Sequence, residues 1–329
     1  MMKRFAIFCL ELGIIACSYT KQLPDLEKID SSIEIAAQWV APAGEIHRRQ
    51  HAQLPVTVVS GVVYVANAGG YVAALNLHSG KLLWQINFNE LIIAGPGYVN
   101  GVVVIGNNEA EVIALQEKTG KELWRKHLSS EVLATPLVDE NRVFVQTIDG
   151  RIYALNLQNG EKIWVEGREI PALTLRGTSS PVRVKDRLLV GFASGQLVAF
   201  NPTSGKTEWE VSVAVPRGRT DLERIVDIDG IFYANEDVVY VVSYQGRMAA
   251  VSLIDGNITW SRDMSSYTGV SVDDEQIYVT DETSRVWALD KSTGATLWRQ
   301  DKLIDREIGA PIILAGTVVV ADRGGVVHW

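Results

Sequence analysis

Three features of this chain predict an all-β fold, a β-propeller built from four-stranded blades. Trp84, Trp124, Trp164, Trp209, Trp260 and Trp298 stand 40, 40, 45, 51 and 38 residues apart, and a period near forty matches one blade of four short strands. Each has a glycine four residues earlier (Gly80, Gly120, Gly160, Gly205, Gly256, Gly294) and an alanine ten residues earlier (Ala74, Ala114, Ala154, Ala199, Ala250, Ala288). Between these marks run short β-rich stretches such as 61–66 and 71–77, bounded by turn residues and without a 3.6-residue period.

Each column has a physical reason. Ser79-Gly80, Thr119-Gly120, Asn159-Gly160, Ser204-Gly205, Asp255-Gly256 and Thr293-Gly294 read as hairpin turns, where glycine takes positive φ without strain. A second turn lies one strand earlier, at Asp149-Gly150, Ser194-Gly195 and Gln245-Gly246. The alanine, always followed by an apolar residue (Leu75, Leu115, Leu155, Phe200, Val251, Leu289), marks a strand packed close to the next blade. The tryptophan falls on the outermost strand, where a large indole can cover the gap between neighbouring blades.

The chain has 329 residues and a net charge of −8. The overall field therefore disfavours nucleic acid as a partner. Beyond the N-terminus no apolar run approaches the about 18 residues that a membrane helix needs. Its two cysteines, Cys9 and Cys17, leave the body of the chain without a disulfide framework, a metal knuckle or a haem-attachment motif.

The N-terminus reads as an address. Lys3 and Arg4 precede an apolar stretch from Phe5 to Ala16, interrupted by Glu11, in the pattern of a secretory signal. Ile14-Ile15-Ala16-Cys17 resembles a bacterial lipobox, whose cysteine thiol carries a thioether-linked lipid. The division expected is a signal peptide over 1–16, a lipid-anchored flexible tether over 17–32 and a propeller over 33–329. Ser18 after the cysteine, by resemblance to bacterial lipoproteins, permits sorting to the outer membrane.

The spacing Ala-Leu-x-x-x-[Ser/Thr/Asn/Asp]-Gly-x-x-x-Trp resembles the PQQ-like repeat of quinoprotein propellers, not WD40, because no aspartate follows these tryptophans. It invites a quinone-dependent dehydrogenase. By resemblance, many such enzymes carry adjacent cysteines near the cofactor, and calcium needs several converging oxygens. Neither pattern stands out here, and no GxSxG, HExxH or P-loop occurs. His47, His51, His78, His127 and His328 are scattered. The expectation is a non-enzymatic protein with no cofactor, since a fold does not dictate a function. The alternatives are the dehydrogenase and a propeller adaptor for other envelope components.

Deviations from a regular scaffold point to function. Two long connections follow Trp164 and Trp209. The first holds Pro171-Ala-Leu-Thr-Leu-Arg-Gly-Thr-Ser-Ser-Pro181, and the second holds Val215-Pro-Arg-Gly-Arg-Thr-Asp-Leu-Glu-Arg-Ile-Val-Asp-Ile-Asp-Gly230. Being in consecutive repeats, they should meet on one face. The lipobox, the propeller repeat, the Leu-Arg-Gly loop and the Thr-x-x-x-Arg-x-x-Asp-x-Asp loop together resemble the BamB family, lipoprotein subunits of the bacterial outer-membrane β-barrel assembly (BAM) machine. The resemblance implies an outer-membrane, periplasm-facing scaffold that docks on the POTRA domains of BamA, with unfolded outer-membrane proteins as further partners. It implies contact residues Leu173, Leu175, Arg176, Asp227 and Asp229, and a lipid on Cys17. Read from the residues alone, Leu173 and Leu175 also suit one face of an inward-looking strand, and the aspartates suit a turn.

The seventh repeat opens with Pro311-Ile-Ile-Leu-Ala-Gly-Thr-Val-Val-Val-Ala, and His328-Trp329 fall where other repeats show Ala-Leu. The family resemblance implies eight blades, and the period then leaves about one and a half of them unaccounted for. A C-terminally incomplete propeller is expected, with Ile33 to Val40, including Trp39, as the outer strand of the last blade.

Overall fold

The computed structural model describes residues 23–26, 36–42, 44, 54–175 and 177–329. Cys17, the signal stretch, Ile33 to Ile35, His47, His51 and Arg176 lie outside the described residues. The regular structure described is all β. The first blade pairs Thr57–Val59, Val62–Ala66, Tyr71–Asn76 and Leu82–Asn87 in that order, each antiparallel to the next. The same four-stranded meander recurs over 92–127, 137–167, 182–212, 233–263 and 270–300, and a seventh sheet over 312–328 has three strands.

The core lies between blades. One cluster joins Tyr64, Val72, Ala74 and Trp84 of the first blade to Val103, Ile105 and Ile113 of the second. Another joins Leu189, Ala199 and Trp209 of the fourth to Val239, Val241 and Val251 of the fifth. Each blade is thus held by its neighbours, as in other repeat architectures.

The three sequence columns meet in one joint. The alanine lies directly across from its own tryptophan (Ala74 opposite Trp84, Ala114 opposite Trp124, Ala154 opposite Trp164), and the register slips just after each. The slip is a bulge that places one extra residue on the outer strand, and a bulge re-aims the side chain beside it. The indole swings over the next blade and donates from Nε1 to a carbonyl three residues before that blade's turn glycine. Trp84 reaches Glu117 O at 2.6 Å, Trp124 reaches Leu157 O at 2.8 Å and Trp209 reaches Leu253 O at 2.9 Å. The glycine is therefore needed twice. Gly120 has φ +70°, and a Cβ there would sit 2.7 Å from the Trp84 ring.

The turn expected at Gln245-Gly246 forms, while the strand expected over Ile33 to Val40 needs correction. At Gln245-Gly246 the left-handed residue is Gln245, with φ 47°, and not the glycine. Gly246 is required by space instead, since a Cβ there would meet Ser243 Oγ at 2.2 Å and Ala214 Cβ at 2.6 Å. Among residues 36–40, no strand forms. Trp39 nevertheless takes the repeat's joint, donating to Leu77 O at 2.7 Å and lying against Gly80. At the other end Trp298 is 41% exposed, beside a cavity of about 510 Å³ that Leu26, Tyr278, His328 and Trp329 also line. Pro24, within the expected tether, accepts a hydrogen bond from Arg306.

Candidate functional site

Both long connections run from the outer strand of one blade to the inner strand of the next. The first leaves Lys162–Gly167 and enters Val182–Val184, and the second leaves Thr207–Ser212 and enters Tyr233–Ala234. Position in the meander therefore puts both on the same face. Their common ground is Gly191-Phe192, at the end of the strand Arg187–Gly191.

Ser179 fastens the first loop there. It is fully buried, and its Oγ accepts from Gly191 N at 3.1 Å and donates to Gly191 O at 3.2 Å. Gln146 of the third blade donates to the same carbonyl at 2.8 Å. The second loop arrives at the next residue, where Ile228 N donates to Phe192 O at 3.4 Å. Gly191 has no side chain because a Cβ would lie 2.5 Å from Ile228 and 2.8 Å from Ser179 Oγ.

The two loops also lock on each other. The Leu175 backbone amide donates to the Asp227 carboxylate. A Cβ on Gly177 would meet the Asp229 carboxylate at 2.7 Å. Asp227 is 1% exposed, and its backbone carbonyl accepts from Tyr244 N at 2.8 Å, which pins it to the fifth blade. Burial pushes both carboxyl groups above the usual range, and for Asp227 the adjacent Asp229 charge pushes the same way. Two carboxylates this close and this shielded from water favour the protonated form. Past this pair, Ile231 bridges to the sixth blade through Val270 N at 2.8 Å.

The structure brings Leu175, Asp227 and Asp229 together at this junction, Leu173 lies two residues before Leu175 on the same loop, and Arg176 lies outside the described residues, between Leu175 and Gly177. Leu173 is 45% exposed and Leu175 half-buried. Residues 171–181 contain no strand among those described, so the inward-facing-strand alternative for these leucines does not hold. Asp227 is interior and Asp229 half-buried, and both face the first loop. Sequence reasoning missed Ser179, Gly191 and Gln146. Ser179 sat in a Ser-Ser pair that looked like ordinary loop, and the partner that gives it meaning is a backbone group of another strand. It also passed over Ile170, Val215, Leu222 and Ile231, exposed apolar residues on the same connections.

Such a fold defines a PQQ-like repeat propeller whose two long connections interlock on one face. A family model described as outer membrane protein assembly factor BamB matches residues 68–300. Curated proteins of that name are 52% identical in Alkalilimnicola ehrlichii, over 97% of this chain and 83% of the relative, and 46% identical in Pseudomonas aeruginosa, over 99% and 87%. The crystal structure of BamB from Moraxella catarrhalis superposes with a TM-score of 0.80 at 26% identity, covering 85% of each chain. A quinohemoprotein alcohol dehydrogenase from Comamonas testosteroni gives 0.65 at 13% identity, over 83% of this chain and 64% of that one, a likeness of fold alone. The chain belongs to the BamB family.

Proposed function

We propose that this chain is a non-enzymatic scaffold subunit of the outer-membrane β-barrel assembly machine. Its relatives are named outer membrane protein assembly factors. In this reading the lipid on Cys17 holds it to the outer membrane, the propeller faces the periplasm, and the two-loop face docks on the POTRA domains of BamA. The observation that supports the docking face is the mutual locking of the loops, Leu175 on Asp227 and Gly177 on Asp229. A preformed surface loses less conformational entropy on binding than one ordered at contact.

The roles follow from position. Leu173 and Leu175 supply apolar anchors, and Arg176 supplies a planar, multidentate donor of the kind enriched at interface centres. Asp227 and Asp229 act by holding the first loop in its bound shape. A pull-down of BamA POTRA domains by the full chain tests this, with Arg176→Ala and the paired Asp227→Ala, Asp229→Ala variants, each shown folded by circular dichroism. Loss of capture in the variants supports the assignment. Capture equal to wild type by both would move the interface elsewhere, and no capture by wild type would overturn the reading.

A further inference from the structure

The second connection carries more than the aspartates that meet the first. Residues 215–224 are all exposed, in a run that projects between buried Ala214 and buried Ile225. The projection is nevertheless folded on itself. Glu223 N donates to Thr220 Oγ1 at 3.2 Å, while Glu223 Oε2 accepts from Thr220 N at 3.2 Å and Arg219 N at 2.7 Å. This reciprocal pattern is a capping box closing a single turn. At Gly218 the chain bends so tightly that a Cβ would lie 2.4 Å from Glu223. At the base, with its amide oriented to match donors to acceptors, Gln245 donates to the carbonyls of Leu222 and Ile225 at 3.2 and 3.1 Å.

This scaffolding holds out a particular set of side chains. Leu222 is 68% exposed at the turn. Arg217, Arg219 and Arg224 are exposed, and none has a side-chain hydrogen bond or ion pair among the described residues. Glu223 is tied to its own turn and Asp221 is the other carboxylate, so the projection carries three cations against two anions. In a chain of net charge −8, this is a local reversal of sign.

We infer that this projection is the electrostatic half of the docking face, and that it meets an acidic protein surface with an apolar notch for Leu222. The inference rests on the POTRA-docking reading and adds the chemistry that the partner surface must present. An anionic membrane is the less favoured occupant. Asp221 interrupts the cations, whereas lipid-binding stretches are unbroken basic clusters. The capped turn also fixes one leucine in one place, which suits a shaped pocket. Exposed arginines set apart from the interface centre chiefly speed the encounter, and a buried leucine slows the departure.

The test is binding kinetics of the full chain with the BamA POTRA fragment at low and high salt, for wild type, R217E/R219E/R224E, the milder R217A/R219A/R224A, and Leu222→Ala. All four must melt at the same temperature. The charge-reversal variant should associate about tenfold more slowly at low salt and lose most of its salt dependence, with the alanine variant between. Leu222→Ala should dissociate about fivefold faster with its association rate unchanged. Association rates and salt slopes equal to wild type in both arginine variants would overturn the inference while leaving the docking reading intact. Phosphatidylglycerol vesicles supply the membrane arm. Vesicle binding that the arginine variants lose, with POTRA kinetics unchanged, would assign the projection to lipid and overturn it too. No binding of POTRA domains by wild type would remove the underlying reading, and the inference with it.

Discussion

At the scale of single residues, the site is organised by two neighbouring carboxyl groups, Asp227 buried and Asp229 half-buried. Asp227 and Asp229 sit side by side, and burial raises both above the 3.8 of an ordinary aspartate. A folded state that binds protons more tightly than the unfolded chain gains stability from them at low pH. That contribution is fully present below about 4 and is lost as pH rises through the raised folded-state values. Asp227→Asn keeps the shape and supplies permanent N–H donors to Asp229. Thermal melts at pH 5, 6.5 and 8 should show the wild-type midpoint falling with pH and the Asp227→Asn midpoint falling less. Parallel curves would mean that the pair is ionised throughout and does not share a proton.

At the scale of the element, the working unit is the joint between blades. Bulge, indole and turn glycine form one device. The bulge aims the ring, the ring covers the neighbour's turn, and the turn offers a carbonyl and an absent side chain. Trp84, Trp124, Trp164 and Trp209 are 8–9% exposed in this device, whereas Trp298 is 41% exposed. Trp84→Ala should therefore cost about 3–5 kcal/mol, the range for deleting a buried large aromatic. Trp298→Ala should cost about 1 kcal/mol or less, because less contact is lost. Urea unfolding of both variants checks the difference, and equal costs would show that the indole seat is not what joins the blades.

Much of this element was legible in the sequence, for a definite reason. Repetition places Gly80, Ala74 and Trp84 at fixed offsets, and six copies turn weak local preferences into a pattern. The pattern located the turns and the outer strand, and it marked the two connections that break the period. It did not reveal that the glycine is also a seat for an indole, because that contact joins residues 36 apart, Trp84 and Gly120. Nor did it reveal that at the Gln245-Gly246 turn Gly246 is small to admit Ser243 and Ala214, while Gln245 bears the left-handed conformation. In the site, the aspartates and leucines stood out by motif. Ser179 and Gln146 did not, since each is defined by the Gly191 backbone and not by its own neighbours in sequence.

At the scale of the whole molecule, the propeller divides labour. Blades packed on their neighbours give a rigid frame, and in the proposed reading the connections that depart from the period carry recognition. The two departures belong to adjacent blades, lock through buried aspartates, and present Leu173, Leu222 and the arginines of the second loop outward. Family membership gives this face its setting, because the relatives are outer membrane protein assembly factors. The central claim is that the two loops form one preformed docking surface. The most direct measurement is amide hydrogen exchange of the full chain, alone and with BamA POTRA domains. The account predicts added protection concentrated over residues 171–181 and 215–230, with the loops already slow to exchange around Leu175 and Asp227 in the free protein. Protection confined to other blades, with these two loops unchanged, would contradict it.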